Sequence, residues 1–369
     1  MGIDNFAWVA TWKITHRCNL KCVYCDRREM TEAGAVEDVD HIAIVEKIAP
    51  YKPKFLNITG GDPSLLTDLP AVFKRAKELW NPRIRVVHNG TQPYKLLCAF
   101  PWLDRLVFSI DGPGTVNALT RGINGKQVFK RIAEVVPEAA KHGVELAFNC
   151  VLTTKNYDYI EALTEEIHAI SPAISVCFSP VMPPKSDISL LSYPDKYEDF
   201  RKRYAQLKVQ GHYLLQTFDN LKIHHENFAK IKCYNQYFTL RINPEGKISS
   251  CAMNVPVHVN EYAARWKKVF TRDGAKKARD LVEKFLSNRV GNNVDFNCTT
   301  ICQCENWMDV LFLNHYNESI PIYINGLAER VSEEELMHVA NFVKQHINAE
   351  FDVELFKERI AFPVQKSAA

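Results

Sequence analysis

The 369-residue sequence contains no run approaching the ~20 consecutive apolar residues of a membrane-spanning helix, no internal repeat and no low-complexity tract. A large excess of one charge sign is also missing: 46 basic residues stand against 43 acidic ones, a formal net charge of +3. Such a balance gives a polyanion little electrostatic foothold, which argues against nucleic-acid binding as the main task. The N-terminal segment carries Trp8 and Trp12 among polar residues and lacks the basic-then-apolar order of a secretory leader, so a cytoplasmic location is the expectation. An apolar fraction of 46 % suffices for a full hydrophobic core, and the length allows one large domain or two modest ones.

Cysteine, by contrast, is plentiful, with eleven in all. Disulfide frameworks suit small secreted chains, and this chain is neither small nor visibly secreted. Grouped thiols in a reducing compartment point to metal ligation instead. Cys18, Cys22 and Cys25 form one group, Cys298, Cys302 and Cys304 another, and Cys233 and Cys251 stand between them. Cys98, Cys150 and Cys177 are isolated and read as core residues.

The first 180 residues alternate short β-branched or aromatic runs with helix-like ones. Strands are expected at 8–15, 54–59, 83–88, 105–110, 144–152 and 174–178. Helices are expected at 39–49, 65–80, 93–100, 125–142 and 157–170. In 65–80 the apolar residues Leu69, Val72, Phe73, Ala76 and Leu79 recur at helical spacing. Six such alternations imply a parallel sheet with outer helices. Polar and glycine-rich sequence falls just after the strands, where ligand sites form in parallel α/β folds. The proline-rich stretch 180–194 reads equally as a plain connection or as a lid. Further helices are expected at 197–211, 220–230, 261–285, 333–347 and 353–359, and a hairpin at 238–251 with its turn at Pro244-Glu245-Gly246.

The sequence around the first group is THRCNLKCVYCD. Three thiolates on a short loop can wrap one iron–sulfur cube. A [4Fe–4S] cluster has four irons, so three protein ligands leave one iron open to an exogenous ligand. Two other readings stand beside it: zinc with His16 as fourth ligand, and an electron-transfer cluster completed by a distant cysteine.

The CX3CX2C spacing after a first strand, with Tyr24 before the last cysteine, resembles the radical SAM superfamily. The resemblance covers residues 8–180. It implies an α/β fold, a partial (β/α)6 barrel, followed here by a small α+β auxiliary-cluster domain. Its supporting motifs are Thr59-Gly60-Gly61-Asp62-Pro63, similar to the loop that meets the amino group of S-adenosylmethionine (SAM), and His88-Asn89-Gly90-Thr91 after the third strand. Ser109 and Asp111 in FSIDG resemble the fourth-strand groups that approach the SAM carboxylate or ribose. Asn149, in NCVLTTKN, resembles a fifth-strand contact near ribose and adenine, and Tyr24 would meet adenine through its backbone. Asp62 departs from the glutamate common in the family, with a reach shorter by one methylene. The resemblance implies that SAM chelates the open iron and that one electron, from an external donor such as flavodoxin or ferredoxin, cleaves it to methionine and a 5′-deoxyadenosyl radical. That radical takes hydrogen from an unactivated C–H bond.

The spacing CX12GX4C from Cys233 to Cys251 resembles the opening of the SPASM and twitch auxiliary-cluster domains, with Cys298, Cys302 and Cys304 to complete the site. Five thiols suffice for one extra [4Fe–4S] cluster but not for two fully cysteine-ligated ones, so a twitch-like domain is the better match. Zinc or unligated thiols are the alternatives there. The expected organisation is a barrel core over 1–182, a helical linker or lid over 183–230, the auxiliary domain over 231–310 and a helical extension over 311–369. A second cluster points to two-electron oxidation of a small molecule, with Asp111, Lys155 or His88 as the general base. Modification of a ribosomally made peptide is the runner-up. It is disfavoured by a first strand that starts within about ten residues of the N-terminus and leaves no room for a peptide-recognition domain. A non-catalytic iron–sulfur electron carrier is the reading from a different class.

Overall fold

The computed structural model describes residues 9–25, 39–181, 187–214 and 239–249, with a few positions between 337 and 357. Cys233, Cys251, Cys298, Cys302 and Cys304 lie outside the described residues, as do the expected helices at 220–230 and 261–285 and most of those at 333–347 and 353–359.

Six strands form one parallel sheet: β1 (Val9–Thr15), β2 (Phe55–Gly60), β3 (Arg83–His88), β4 (Arg105–Ser109), β5 (Glu145–Leu152) and β6 (Ser175–Pro180). Each pairs in parallel with the next in sequence. Helices α1 (His41–Ile48), α2 (Leu69–Trp80), α4 (Gly125–Lys141) and α5 (Ile160–Ile170) intervene, and α6 (Pro194–Val209) follows β6. The result is an unclosed, partial barrel: the parallel sheet follows from the alternation, and the partial barrel is what the resemblance implies. Two further strands, β7 (Thr239–Ile242) and β8 (Ile248–Ser249), extend the sheet beyond β1.

One face of every strand carries the core. Ala10, Trp12, Leu56, Ile58, Ile84, Val86, Leu106, Phe108, Phe148 and Phe178 are fully buried on it. Trp12 meets His41 of α1 edge-on, Phe148 stacks on Phe129 of α4, and Phe178 meets Phe200 and Tyr204 of α6. Burying each such aromatic contributes roughly 1.5–3 kcal/mol. The alternate positions point into the barrel. Asn57, Thr59, Arg85, Val87, Asn149, Val151, Cys177 and Ser179 are only partly buried there.

The expected elements shift in informative ways. Helix α2 starts at Leu69 rather than at residue 65. Asp62 first caps a separate 3-10 turn, Pro63–Leu65, by accepting from the Ser64 backbone N–H, and Pro70 then takes the first turn of the helix. The expected helix at 93–100 is a 3-10 helix, Pro93–Trp102, containing Pro101. A short helix α3 (Val116–Arg121) was not expected and bears directly on the site. The 180–194 stretch is tied to the end of β5 where it is described: Thr153 bridges Ser189, and the Thr154 N–H donates to the Ile188 carbonyl.

The 238–251 hairpin takes shape as β7 and β8, with Gly246 at φ +72° in the turn. Residues 240–248 group with the barrel. Lys47 of α1 donates to the Gly246 carbonyl at 3.0 Å, and Glu245 lies 3.1 Å from His16 Nε2.

Candidate functional site

The carboxyl ends of β1 to β5 gather nearly all the residues singled out by their sequence motifs. The cysteine loop leaves β1 directly. Cys22 is buried, Cys18 and Cys25 are partly exposed, and all three are free thiols. The Cys25 N–H donates to the Cys22 carbonyl, which folds the last two cysteines into a turn. The Val23 N–H donates to the Thr120 carbonyl of α3 at 2.9 Å, which anchors that turn to the fourth β/α unit. Asn19 ties the front of the loop to the end of β3: it donates to Thr91 Oγ1 at 2.8 Å and accepts from Asn89 Nδ2 at 2.7 Å. The same Asn89 amide lies 4.0 Å from the Cys18 sulfur.

The donor set fits an iron–sulfur cube. Among the described residues no three His, Cys, Asp or Glu side chains converge on one ion. A cube takes its thiolates on separate irons, so three thiols spread along one loop suit it. His16, the fourth ligand of the zinc reading, turns Nε2 to Glu245. Burial pushes the Cys22 thiol up to about 11, against the pull of the Arg121 guanidinium, and burial also raises Cys18. Bound iron reverses that balance, because its positive charge favours the thiolate.

Gly60 and Gly61 let the β2 end pass against the cysteine loop. The Gly61 N–H donates to the Thr15 carbonyl and the Asp62 N–H to the Arg17 carbonyl, both at 2.7 Å. A Cβ on Gly61 would lie 1.9 Å from the Arg17 oxygen, and Gly60 adopts φ +145° with its Cβ position 2.5 Å from the Thr15 oxygen. Gly61→Ala is therefore expected to destabilise the protein by about 1–3 kcal/mol or more, since backbone blocks backbone and neither yields. A denaturation midpoint equal to wild type would contradict this.

Asp62 is fully buried and is engaged by the protein. One oxygen accepts from the Ser64 backbone and hydroxyl, the other from the Asn89 backbone N–H. His88 accepts from the Gly90 N–H at Nδ1, so its proton sits on Nε2, 3.6 Å from Asp62. Burial holds its pKa below the ordinary histidine value, with Asp62 opposing. A neutral ring in that tautomer, enclosed and facing a carboxylate, has no open nitrogen with which to take a proton from a substrate.

Asp111 is the most heavily used group in the site. Oδ1 faces Arg121 Nη2 at 2.9 Å and accepts from the Val151 N–H at 2.9 Å. Oδ2 accepts from the Tyr24 hydroxyl at 2.7 Å and the Thr120 hydroxyl at 2.8 Å. Its backbone N–H donates to Asn117 Oδ1, and its carbonyl accepts from Asn156 Nδ2. Arg121 also stacks over the Tyr24 ring at 5.6 Å. One buried carboxylate thus joins β4, β5, α3 and the cysteine loop. A carboxylate with both oxygens so occupied holds other groups in place.

Ser109 and Asn149 share a rung facing into the barrel, where the Ser179 hydroxyl lies 3.4 Å from Asn149 Oδ1. Pro63 opens the buried 3-10 turn. Lys155 is exposed in the turn after β5, and its N–H donates to Thr153 Oγ1.

The family model described as "Radical SAM superfamily" matches residues 12–167. The chain carries a radical SAM domain. The matched span holds all three loop cysteines and the ends of β1 to β5, the same parts the hydrogen bonds join. Two curated relatives are similar to part of the chain. A probable GTP 3′,8-cyclase from Sulfolobus acidocaldarius is 27 % identical over 169 residues, 42 % of this chain and 53 % of that protein. A pre-heme d1 synthase from Dinoroseobacter shibae is 30 % identical over 166 residues, 42 % of this chain and 39 % of that protein. The chain spans about half the length of the curated relatives it matches, or less. Among solved structures, SuiB from Streptococcus suis aligns with TM-score 0.53 at 15 % identity, covering 71 % of this chain and 66 % of that one. The anSMEcpe structure with bound AdoMet and a peptide aligns with TM-score 0.54 at 16 % identity, covering 73 % and 81 %. These likenesses establish the fold. The family implies SAM and a [4Fe–4S] cluster as cofactors.

Proposed function

We propose that this radical SAM enzyme carries out a two-electron oxidation of a small molecule, with the loop cysteines starting the reaction and an auxiliary cluster helping to finish it. The observation that carries the first half is the loop itself: three free thiols, positioned by three other β/α units, with no fourth cysteine adjoining them among the described residues. When bound, the cluster and SAM supply a 5′-deoxyadenosyl radical able to abstract hydrogen from an unactivated carbon. Cys18, Cys22 and Cys25 hold the cluster as thiolates. The backbone at Gly60 and Gly61 presents the β2 end to the SAM amino group, and Ser109 and Asn149 offer polar groups on the inner face for its carboxylate and ribose. Tyr24, held by Asp111, fixes the loop wall beside adenine. Asp111 acts in this scheme as a positioning residue. Lys155, exposed in the turn after β5 and uncommitted at its ammonium among the described contacts, is the better of the proposed proton acceptors.

The second half rests on Cys233 and Cys251 around the β7–β8 hairpin, with two of Cys298, Cys302 and Cys304 completing one [4Fe–4S] site. Iron and sulfide analysis of the anaerobically reconstituted full chain tests it: about eight irons per chain is the expected content, two four-iron cubes. Cys251→Ala is expected to lose about half of that iron while SAM cleavage by the first cluster persists. An unchanged iron content would remove the auxiliary cluster from the scheme. Peptide modification is the second reading, favoured by the anSMEcpe structure, which has AdoMet and a peptide bound. Flavodoxin or ferredoxin is the proposed electron donor in either case.

A further inference from the structure

The outer edge of the sheet carries a contact between two histidines that the reaction scheme does not use. β6 is the edge strand there, and residues 212–214, just after α6, lie along its outer side. The Val176 N–H donates to the Tyr213 carbonyl at 3.0 Å, and Val176 bridges the buried Leu214 in parallel. His212 ties this strip to α5. Its Nδ1 lies 2.7 Å from Nδ1 of His168, a residue in the last turn of that helix. The ring planes are 12° apart and the centroids 5.0 Å apart. With the nitrogens so much closer than the centroids, the rings meet edge to edge in nearly one plane, and a hydrogen lies between the two nitrogens. The other nitrogen of His168, Nε2, is 3.0 Å from the Ile174 carbonyl. A carbonyl only accepts, so Nε2 carries a proton and the neutral ring has a bare Nδ1. His212 therefore donates to it.

Counting protons gives this contact a threshold. One added proton sits on His212 Nε2, and the bond between the rings becomes charge-assisted and survives. A second has only His168 Nδ1 to go to, where it meets the His212 N–H head-on, and two like charges then face each other. No other group relieves that conflict. On α5, Glu161 is paired with Arg203 of α6, Glu166 feels Lys126, and Glu165 is exposed. The turn 171–174 has no titratable side chain, and β6 adds only Cys177. Lys208 lies near the end of α6, and Tyr213 bears on Arg105. The charge that bears on His168 is that of His212. We propose that the pair is an acid-released latch, holding residues 212–214 over the edge of β6 while it carries at most one charge and freeing that edge when both rings are charged. Burial foremost lowers the His168 pKa; the Ile174 carbonyl opposes, and His212 adds to the lowering. The latched state thus takes up the last proton later than the released one. Its stabilising effect is complete above the ordinary histidine value and is lost as pH falls below it. The uncovered strand then presents unpaired backbone groups, a template for pairing with another chain.

Hydrogen–deuterium exchange of the anaerobically reconstituted full chain, read by mass spectrometry at about pH 7.5 and about pH 5.5 and corrected for the intrinsic pH dependence of exchange, tests the latch. Protection of peptides containing Val176 and residues 212–214 is expected to fall about tenfold or more between the two, as uptake of one further proton allows. Peptides from β4, in the middle of the sheet, should keep their protection over the same range. His212→Asn retains an amide N–H and cannot charge, so its protection should be independent of pH. His168→Asn should behave alike. Variants that are unprotected at both pH values would also support the latch, because they reproduce its released state. Three results overturn it: protection of the wild-type strip that does not change with pH, an equal loss in β4, or a wild-type fall that persists in both asparagine variants.

Discussion

Replacing Cys22 with alanine is expected to abolish formation of 5′-deoxyadenosine when the reconstituted, reduced protein is given SAM. The loss should exceed the roughly 100-fold typical of outer-shell mutations at metal sites, because a direct ligand is removed. Cys22 is the informative choice among the three. It is the buried one, and the backbone beside it is held independently of the sulfur: the Val23 N–H stays on the Thr120 carbonyl and the Cys25 N–H on the Cys22 carbonyl. Alanine therefore removes the thiolate and leaves the loop in place. Cys98→Ala is the matched control, since that thiol is exposed and its sulfur donates only to the Lys95 carbonyl. It should cleave SAM at the wild-type rate. Undiminished 5′-deoxyadenosine from Cys22→Ala would end the assignment of this loop as the cluster site.

The legible part of this site was the part written locally. Cys18, Cys22 and Cys25 lie within eight residues, and Gly60 and Gly61 are adjacent in the chain, so spacing alone exposed them. The structure supplies the physical reason for the glycines, which the GG pair could only suggest: each lets one backbone pass close to another. Strand order was legible for a similar reason, because a parallel sheet buried against helices spells its strands as short apolar runs. The groups that hold the site together were hidden. Asn19 meets Asn89 and Thr91 across some seventy positions, and Tyr24 meets Asp111 across 87. Arg121, Thr120 and Asn117 sit on α3, a helix of six residues too short to announce itself by periodicity. Their signal was present in TVNALTRG, where Asn117, Thr120 and Arg121 recur three and four apart and share a helix face. Asn156 stands inside the motif NCVLTTKN, yet nothing local marks it as the group that donates to the Asp111 carbonyl. The side of a strand was legible as well: Arg83 and Arg85 alternate with Ile84 and Val86, a period of two that puts both arginines on one side of β3.

The ion pair between Asp111 and Arg121 leads to the second large effect. Both side chains are buried and lie 2.9 Å apart. Arg121→Met removes the cation and leaves a buried carboxylate with only neutral donors from Tyr24, Thr120 and Val151. Breaking a buried pair from one side typically costs about 3–5 kcal/mol, because the surviving charge is stranded. Asp111→Asn should cost a similar amount for the opposite reason, leaving Arg121 stranded. The double variant should be more stable than the sum of the two losses predicts, since neither charge then remains, and urea denaturation of all four proteins measures that coupling directly. Additive losses would mean that the two side chains act separately. A purely structural role would end there, but Arg121 also bears electrostatically on the Cys22 sulfur. Removing a buried cation beside a cluster disfavours the added electron. Any cluster loaded into Arg121→Met should therefore show a more negative reduction potential in an EPR-monitored redox titration, and Arg121→Lys, which keeps the charge without the planar fork, should restore the potential more fully than the stability. An unshifted potential in the methionine variant would confine Arg121 to holding α3, β4 and the cysteine loop together.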